Sequence, residues 1–202
     1  MGKTLKLLSL LVTLSMILSL CTVFGGFVTF GATAIEIDTA DKLRLIGRDA
    51  AYPMDGNYIL TADIDLSAQE WLPIGITSVS DSNMVPFKGT FDGQGHVISG
   101  MHAGTDSAPV ATTANGWGLF SYIEDATIKN VAFKDVYFNV GINSSNTNMA
   151  LGTACGLIAG TSTIENVAVL SGTVQDVIST HQTRVAGIAG AFTGAAGITI
   201  KN

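Results

Sequence analysis

The chain carries one phrase three times: TIKNVAF at 127–133, TIENVAV at 163–169 and TIKN at 199–202. Thr127, Thr163 and Thr199 follow one another at intervals of 36 residues, with no slip. Ahead of each copy lies an apolar knot bracketed by small residues: GWGLFSYI (116–123), CGLIAGTS (155–162) and AGIAGAFTG (186–194). A more distant copy is GHVISGM (95–101), in which Ile98 is expected to take the place of Ile128. Ile164, Val167 and Val169 alternate with polar residues closer to period two than to 3.6. Branched side chains dominate these segments and glycines punctuate them, so they read as short strands and turns.

A fixed period of this length with short strands predicts a solenoid, in which each unit buries its apolar face only by stacking on its neighbour. The expected fold is all-β: a right-handed parallel β-helix with a short N-terminal capping helix. In such a stack Asn130, Asn166 and Asn202 form an amide ladder at a spacing of about 4.8 Å. Ile128, Ile164 and Ile200 stack inside, and Thr127, Thr163 and Thr199 line up at a turn. Gly156, Ala159, Gly187 and Ala189 let the coil turn with little bulk. Thirty-six residues fit either one large coil or two small ones.

The segment 38–51, DTADKLRLIGRDAA, reads as the capping helix, with Asp38 or Thr39 as N-cap and Leu43, Ile46 and Ala50 on its apolar face. NYILTADIDLS (57–67) alternates as a strand, and WLPIG (71–75) supplies a bulky plug with a Pro-marked turn. Asp92-Gly93 and Gln94-Gly95 mark turns between strands. The stretches 102–115 and 139–149 read as projecting loops.

At the N-terminus Lys3 and Lys6 precede an apolar run from Leu7 to Phe30, followed by Ala32-Thr33-Ala34. That order predicts a secretory signal peptide over 1–34, cleaved after Ala34. An uncleaved anchor is the competing reading, because the run is long enough to cross a bilayer. Beyond the leader, eight Lys and Arg face sixteen Asp and Glu, a net charge of −8. Such a surface excludes nucleic acid as a partner and disfavours anionic membranes once the leader is removed. With Cys21 in the leader, Cys155 is left without a partner for an intrachain disulfide. The expected organisation is therefore leader (1–34), cap and first coils (35–101) and 36-residue repeats (102–202). The last repeat looks cut in mid-phrase, which predicts self-association through an uncapped C-terminal coil.

Chemistry is harder to find. HExxH is absent around His96, His102 and His181, so zinc-protease chemistry and resident cofactors are not expected. Asp63 and Asp65 are the best carboxylate pair, since positions two apart on a strand share a face and could flank a sugar or a cation. The alternation with Ile64 and Leu66 also suits two solvent-facing residues with no chemistry. Asp92-Gly-Gln-Gly-His96 lacks the Lys-Ser/Thr of a phosphate loop and reads as a turn with His96 at its rim. Cys155 sits among small apolar residues as an inert thiol. Trp71 and Trp117 lie in apolar phrases that favour core packing over sugar stacking.

Taken in order, IDTADKLRLIG, YILTADIDLS, WLPIG, FKGTFDGQGHVISGM and GLFSYIEDATIKNVAF resemble the pattern of bacterial GLUG-motif proteins over nearly all of 35–202. Ile158-Ala159-Gly160 and Ile188-Ala189-Gly190 depart from it where an aromatic–Gly pair is commoner. The resemblance implies an exported, often large, surface-associated protein with β-helical stalks, sometimes beside immunoglobulin-A-cleaving zinc proteases or adhesin-like regions. It brings no catalytic residue with it. The expected function is a secreted or cell-surface, non-catalytic stalk or adhesion module, the N-terminal part of a larger protein, with an extracellular glycan or a host or cell-surface protein as partner. The competing expectation is a polysaccharide-active (lyase or hydrolase) or glycan-binding β-helix.

Overall fold

The computed structural model describes residues 33–142, 148–178, 182–194 and 197–201. Residues 1–32 of the expected leader, with Cys21, lie outside the described residues, as do His181, Asn202 and the tip of the 139–149 stretch. Everything below concerns the compact unit that begins at Ala34.

That unit is a parallel β-solenoid. One wall stacks β1 (Ile35–Ile37), β2 (Asn57–Leu60), β4 (Thr90–Asp92), β10 (Thr127–Lys134), β14 (Thr163–Val169) and β18 (Thr199–Lys201). Two short strands, β3 (Ile64–Asp65) and β5 (Val97–Ser99), extend it, β5 lying beside the second half of β10. The next wall stacks β6 (His102–Ala103), β11 (Val136–Ile142) and β15 (Gly172–Gln175), with β7 (Val110–Thr112) against the far end of β11. The third joins β8 (Gly116–Trp117), β12 (Met149–Leu151) and β16 (Thr183–Val185). The fourth joins β9 (Phe120–Glu124), β13 (Cys155–Ala159) and β17 (Ala189–Phe192). Every one of these pairings is parallel, because each strand meets its counterpart only after the chain has gone once round. Thr127, Ile128 and Lys129 pair with Thr163, Ile164 and Glu165, which pair in turn with Thr199, Ile200 and Lys201. Thirty-six residues therefore make one four-sided coil.

The interior follows from alternation along the strands. Tyr58, Phe91, Ile128 and Ile164 form one column, each at most 1% exposed. Phe138 stacks with Ala103, and Trp117 with Leu151. At the centre Phe120 stacks on Phe87 with ring centroids 4.5 Å apart and meets Phe91 edge-on at 5.7 Å. Ile200, in the same column as Ile164, is 48% exposed.

Corners are set by backbone that few residues tolerate. Asp125, Asn130, Asp135 and Asn166 have φ of +52°, +52°, +54° and +50°. Asp and Asn visit this left-handed region at least cost among residues with a side chain. Gly156 serves another need: a Cβ there would stand 2.2 Å from Trp117 N, so the neighbouring coil requires glycine.

Helix α1 (Ala40–Leu45) begins at Thr39, whose Oγ1 accepts from Lys42 N at 3.3 Å. Leu43 and Ile46 are buried. The helix is shorter than 38–51 because the backbone leaves helical geometry at Ile46 and turns through Gly47 at φ +73°, so Ala50 is exposed rather than part of an apolar face. Arg48 Nη2 donates to the carbonyls of Leu72, Pro73 and Ile76 at 3.0–3.1 Å, and Arg44 to those of Gln69 and Glu70. These bonds fasten α1 to the WLPIG segment, whose Trp71 and Ile74 enter the core.

Two further expectations are corrected. Ile98 pairs with Phe133, and the true counterpart of Ile128 is Phe91 in Thr90-Phe91-Asp92. Asp92-Gly93-Gln94-Gly95-His96 inserts two residues relative to Lys129–Ala132, which shifts the apparent phase. As expected, the segment is a turn between two strands, with His96 N donating to Gly93 O at 2.8 Å, and it joins β4 to β5 along one edge of β10. Finally, 102–115 and 139–149 are partly strand, since β6, β7, β11 and β12 occupy their ends.

Candidate functional site

Asp63 and Asp65 flank the buried Ile64 and both face solvent. Asp63 Oδ1 accepts from Val97 N at 3.0 Å and lies 3.0 Å from His96 Nδ1. Those two contacts, the Val97 N–H first, hold its carboxyl below the usual range. Asp65 Oδ1 accepts from Ser67 N at 2.9 Å, which lowers it likewise. Asp65 thus caps a local backbone turn, whereas Asp63 caps the Val97 N–H of the next coil, with His96 as a rim residue clamped to it.

The repeated polar residues bond along the stack. Asn166 Nδ2 donates to Asn130 Oδ1 at 3.0 Å, and Asn130 Nδ2 donates to Asp92 Oδ1 at 3.0 Å. Asp92 also receives Gln94 N and the Lys129 ammonium, at 3.0 and 3.2 Å. Outside Ile128 and Ile164 runs a column of alternating sign, Asp92, Lys129, Glu165 and Lys201, with Glu165 3.1 Å from Lys201. Thr127, Thr163 and Thr199 continue upward to Thr90 as a single threonine column. Thr161 N donates to Asp125 Oδ1 and Ser171 Oγ to Asp135 Oδ1, both at 2.7 Å and both across 36 residues.

A second polar group gathers on the β11–β15 wall, where sequence reading singled out no residue. Tyr137 and Asn139 point outward from β11, and Gln175 stands beside Asn139 on β15. The segment 104–109 crosses over them. Gly104 makes the crossing possible: its φ is +71° and a Cβ would lie 2.6 Å from Asn139 O. Gly104 N donates to Glu70 Oε1 at 3.1 Å, which ties down one end of the segment, and Ala108 N donates to Thr105 Oγ1 at 3.0 Å within it. From it Asp106 Oδ1 accepts a short hydrogen bond from the Tyr137 hydroxyl, which holds that phenol above its ordinary pKa. Gln175 Nε2 reaches both Asp106 Oδ1 and Tyr137 Oη at 3.3 Å. Beneath, Asn139 is fully buried; its Nδ2 donates to Thr105 O at 2.9 Å, and its Oδ1 has no hydrogen-bond partner among the described residues.

The remaining candidates are structural. Trp71 is buried with Nε1 donating to Gly118 O at 3.0 Å and the Arg44 guanidinium 5.2 Å over its ring; Trp117 is also buried. Cys155 is fully buried, and burial pushes its thiol up to about 12. His102 Nδ1 lies 3.0 Å from Gly100 O. Among the described residues no three His, Cys, Asp or Glu gather in a metal-binding group, and no helix is long and apolar enough to cross a membrane.

The fold therefore defines a parallel β-solenoid whose last two coils, Ile128 to Ile164 and Ile164 to Ile200, are each 36 residues long. Halomucin of Haloquadratum walsbyi is 30% identical to it over 162 residues, which is 78% of this chain. The chain spans 2% of the length of that relative. No family model matches the chain, and no solved structure matches it.

Proposed function

We propose that the protein is a secreted or cell-surface solenoid that works as a non-catalytic stalk or adhesion module of the GLUG-motif kind. The observation that carries this reading is where its polar side chains are spent. Asn166 on Asn130, Ser171 on Asp135 and Thr161 on Asp125 are bonds from one coil to the next, directed along the stack. Interactions of that direction stiffen a rod and add with each coil, which suits an element that holds something at a distance. The carboxylates of Asp63 and Asp65, the pair a polysaccharide-cleaving reading would use, serve backbone caps. The similarity to halomucin lies within 2% of a far longer chain, the usual setting of a small module. The positively charged, apolar N-terminus and the acidic remainder fit export.

Protease shaving and surface biotinylation of intact cells, with analysis of the culture medium, test the proposal. Recovery of the chain at the surface or in the medium is expected. Its confinement to the cytosol would overturn the reading.

A further inference from the structure

The first wall has a free strand edge at each end: among the described residues β1 pairs only with β2, and β18 only with β14. We infer that a second copy of the chain docks there head to tail, its β1 adding in parallel to β18, so that copies join along the solenoid axis. The inference deepens the stalk reading and rests on it for one thing, removal of the leader after Ala34.

Register selects the occupant. An interior column runs Ile35, Tyr58, Phe91, Ile128, Ile164, Ile200. The outward column beside it runs Glu36, Ile59, Asp92, Lys129, Glu165, Lys201. The wall therefore opens on Ile35-Glu36 and closes on Ile200-Lys201. Laid on β18 in the same register, β1 of the next copy puts its Ile35 over Ile200, which is 48% exposed, and its Glu36 over Lys201. Both charged residues face solvent in the single chain. Their pairing continues the alternation of sign set up by Lys129, Glu165 and Lys201, and opposite charges directly across a strand pair attract.

Shape supplies the rest. β18 covers only Thr163–Glu165 of β14, so the second half of β14, with β15 and β16, lies one coil lower. Over that step is a hollow of about 240 Å³ walled by Val169, Val174 and Val185. The coil beneath fills the same places with Phe133, Phe138 and Leu151. In the docked copy β1 leads almost at once into α1. A helix is about 10 Å across, whereas strands stack at about 4.8 Å, so the step takes a helix better than a single strand. Leu45 of α1, 37% exposed, is the apolar side chain it brings. The reverse pairing, β18 end against β18 end, sets hollow against hollow and brings the exposed Arg184 and Lys201 toward the same cations. A head-to-tail contact is heterologous and does not close, so it lengthens the rod.

Sedimentation velocity of the chain from Ile35 onward, over a wide concentration range, tests this. The mass is expected to climb past that of a dimer as concentration rises. Lys201→Glu and Glu36→Lys are each expected to weaken assembly roughly fivefold, the scale of exchanging an attractive cross-strand pair for a repulsive one, with the unfolding midpoint retained. Mixed one to one, the two variants are expected to recover assembly, because each then meets the opposite sign at both ends. The inference is overturned if the chain stays monomeric at every concentration, if assembly stops at a dimer, or if the mixture assembles no better than either variant alone. A surface protein that fails these tests leaves the stalk reading standing and sinks this one; a cytosolic protein whose 35–202 form assembles and is rescued by mixing does the reverse.

Discussion

Asn166 donates its side-chain amide to Asn130 over 3.0 Å, and both residues hold left-handed backbone, at φ +50° and +52°. One residue type thus meets two demands: it tolerates the corner and bridges the coils. Asn166→Ala loses the bond and strains the corner, and is expected to cost about 1–2 kcal/mol. Asn166→Gly loses only the bond and relieves the strain, so its cost falls below that of the alanine variant. Urea midpoints of the two variants check the order; equal losses would mean that the corner is not strained.

The ladder ends on Asp92, and this gives it a pH dependence. Burial raises the Asp92 carboxyl, but hydrogen bonds from Asn130, Gln94 N and Lys129 outweigh it and leave the group below its usual value. A depressed carboxyl contributes stability that is present above the unfolded value, about 3.9, and is lost as pH falls through the folded one. Asp92→Asn is therefore expected to be less stable by about 1–2 kcal/mol at neutral pH. The gap should begin to close as pH falls below about 4 and should vanish only below the folded value. Parallel denaturation series across that range would show it, and a constant gap at every pH would exclude Asp92 as the titrating group.

The coil was legible because its period is exact where the backbone demands it. Thr127, Asn130 and Val131 recur one coil later as Thr163, Asn166 and Val167, since stacked corners need the same φ and stacked interiors the same branching. The first coils were harder. A two-residue insertion at Gly93–His96 hid the kinship of Phe91 with Ile128 and lent it to Ile98. The roofed group could not be read from spacing alone. Asn139 and Gln175 become neighbours once 36 residues are known to be a single coil, but Asp106 reaches Tyr137 only because segment 104–109 folds back through Gly104.

Phe120 is the hub of the aromatic core, stacked on Phe87 and edge-on to Phe91 while fully buried. Its backbone also pairs with Cys155 on the following coil. Phe120→Ala should cost about 3–5 kcal/mol, because rigid coils on both sides keep the cavity from collapsing. Phe120→Leu fills much of that space and should cost about 1–2 kcal/mol. Chemical denaturation of both variants decides it; a similar, small loss for both would mean that the coils shift to close the gap.

Cys155 reports on the integrity of the stack itself. It lies between Phe120 and Ala189 on consecutive coils, fully buried, with its thiol pushed up to about 12 by loss of hydration. A thiol reagent attacks the thiolate, so both the low thiolate fraction and the lack of access protect it near pH 8. Alkylation is expected only through opening of the coils on either side, at a rate that follows the equilibrium between closed and open states. Phe120→Ala should then label faster than the unaltered protein, whereas the Asp106→Ala change on the outer wall should leave the rate unchanged. Peptide mass analysis of the Cys155 fragment over time measures this, and rapid labelling of the native protein would show that the β9–β13–β17 wall does not close over the thiol.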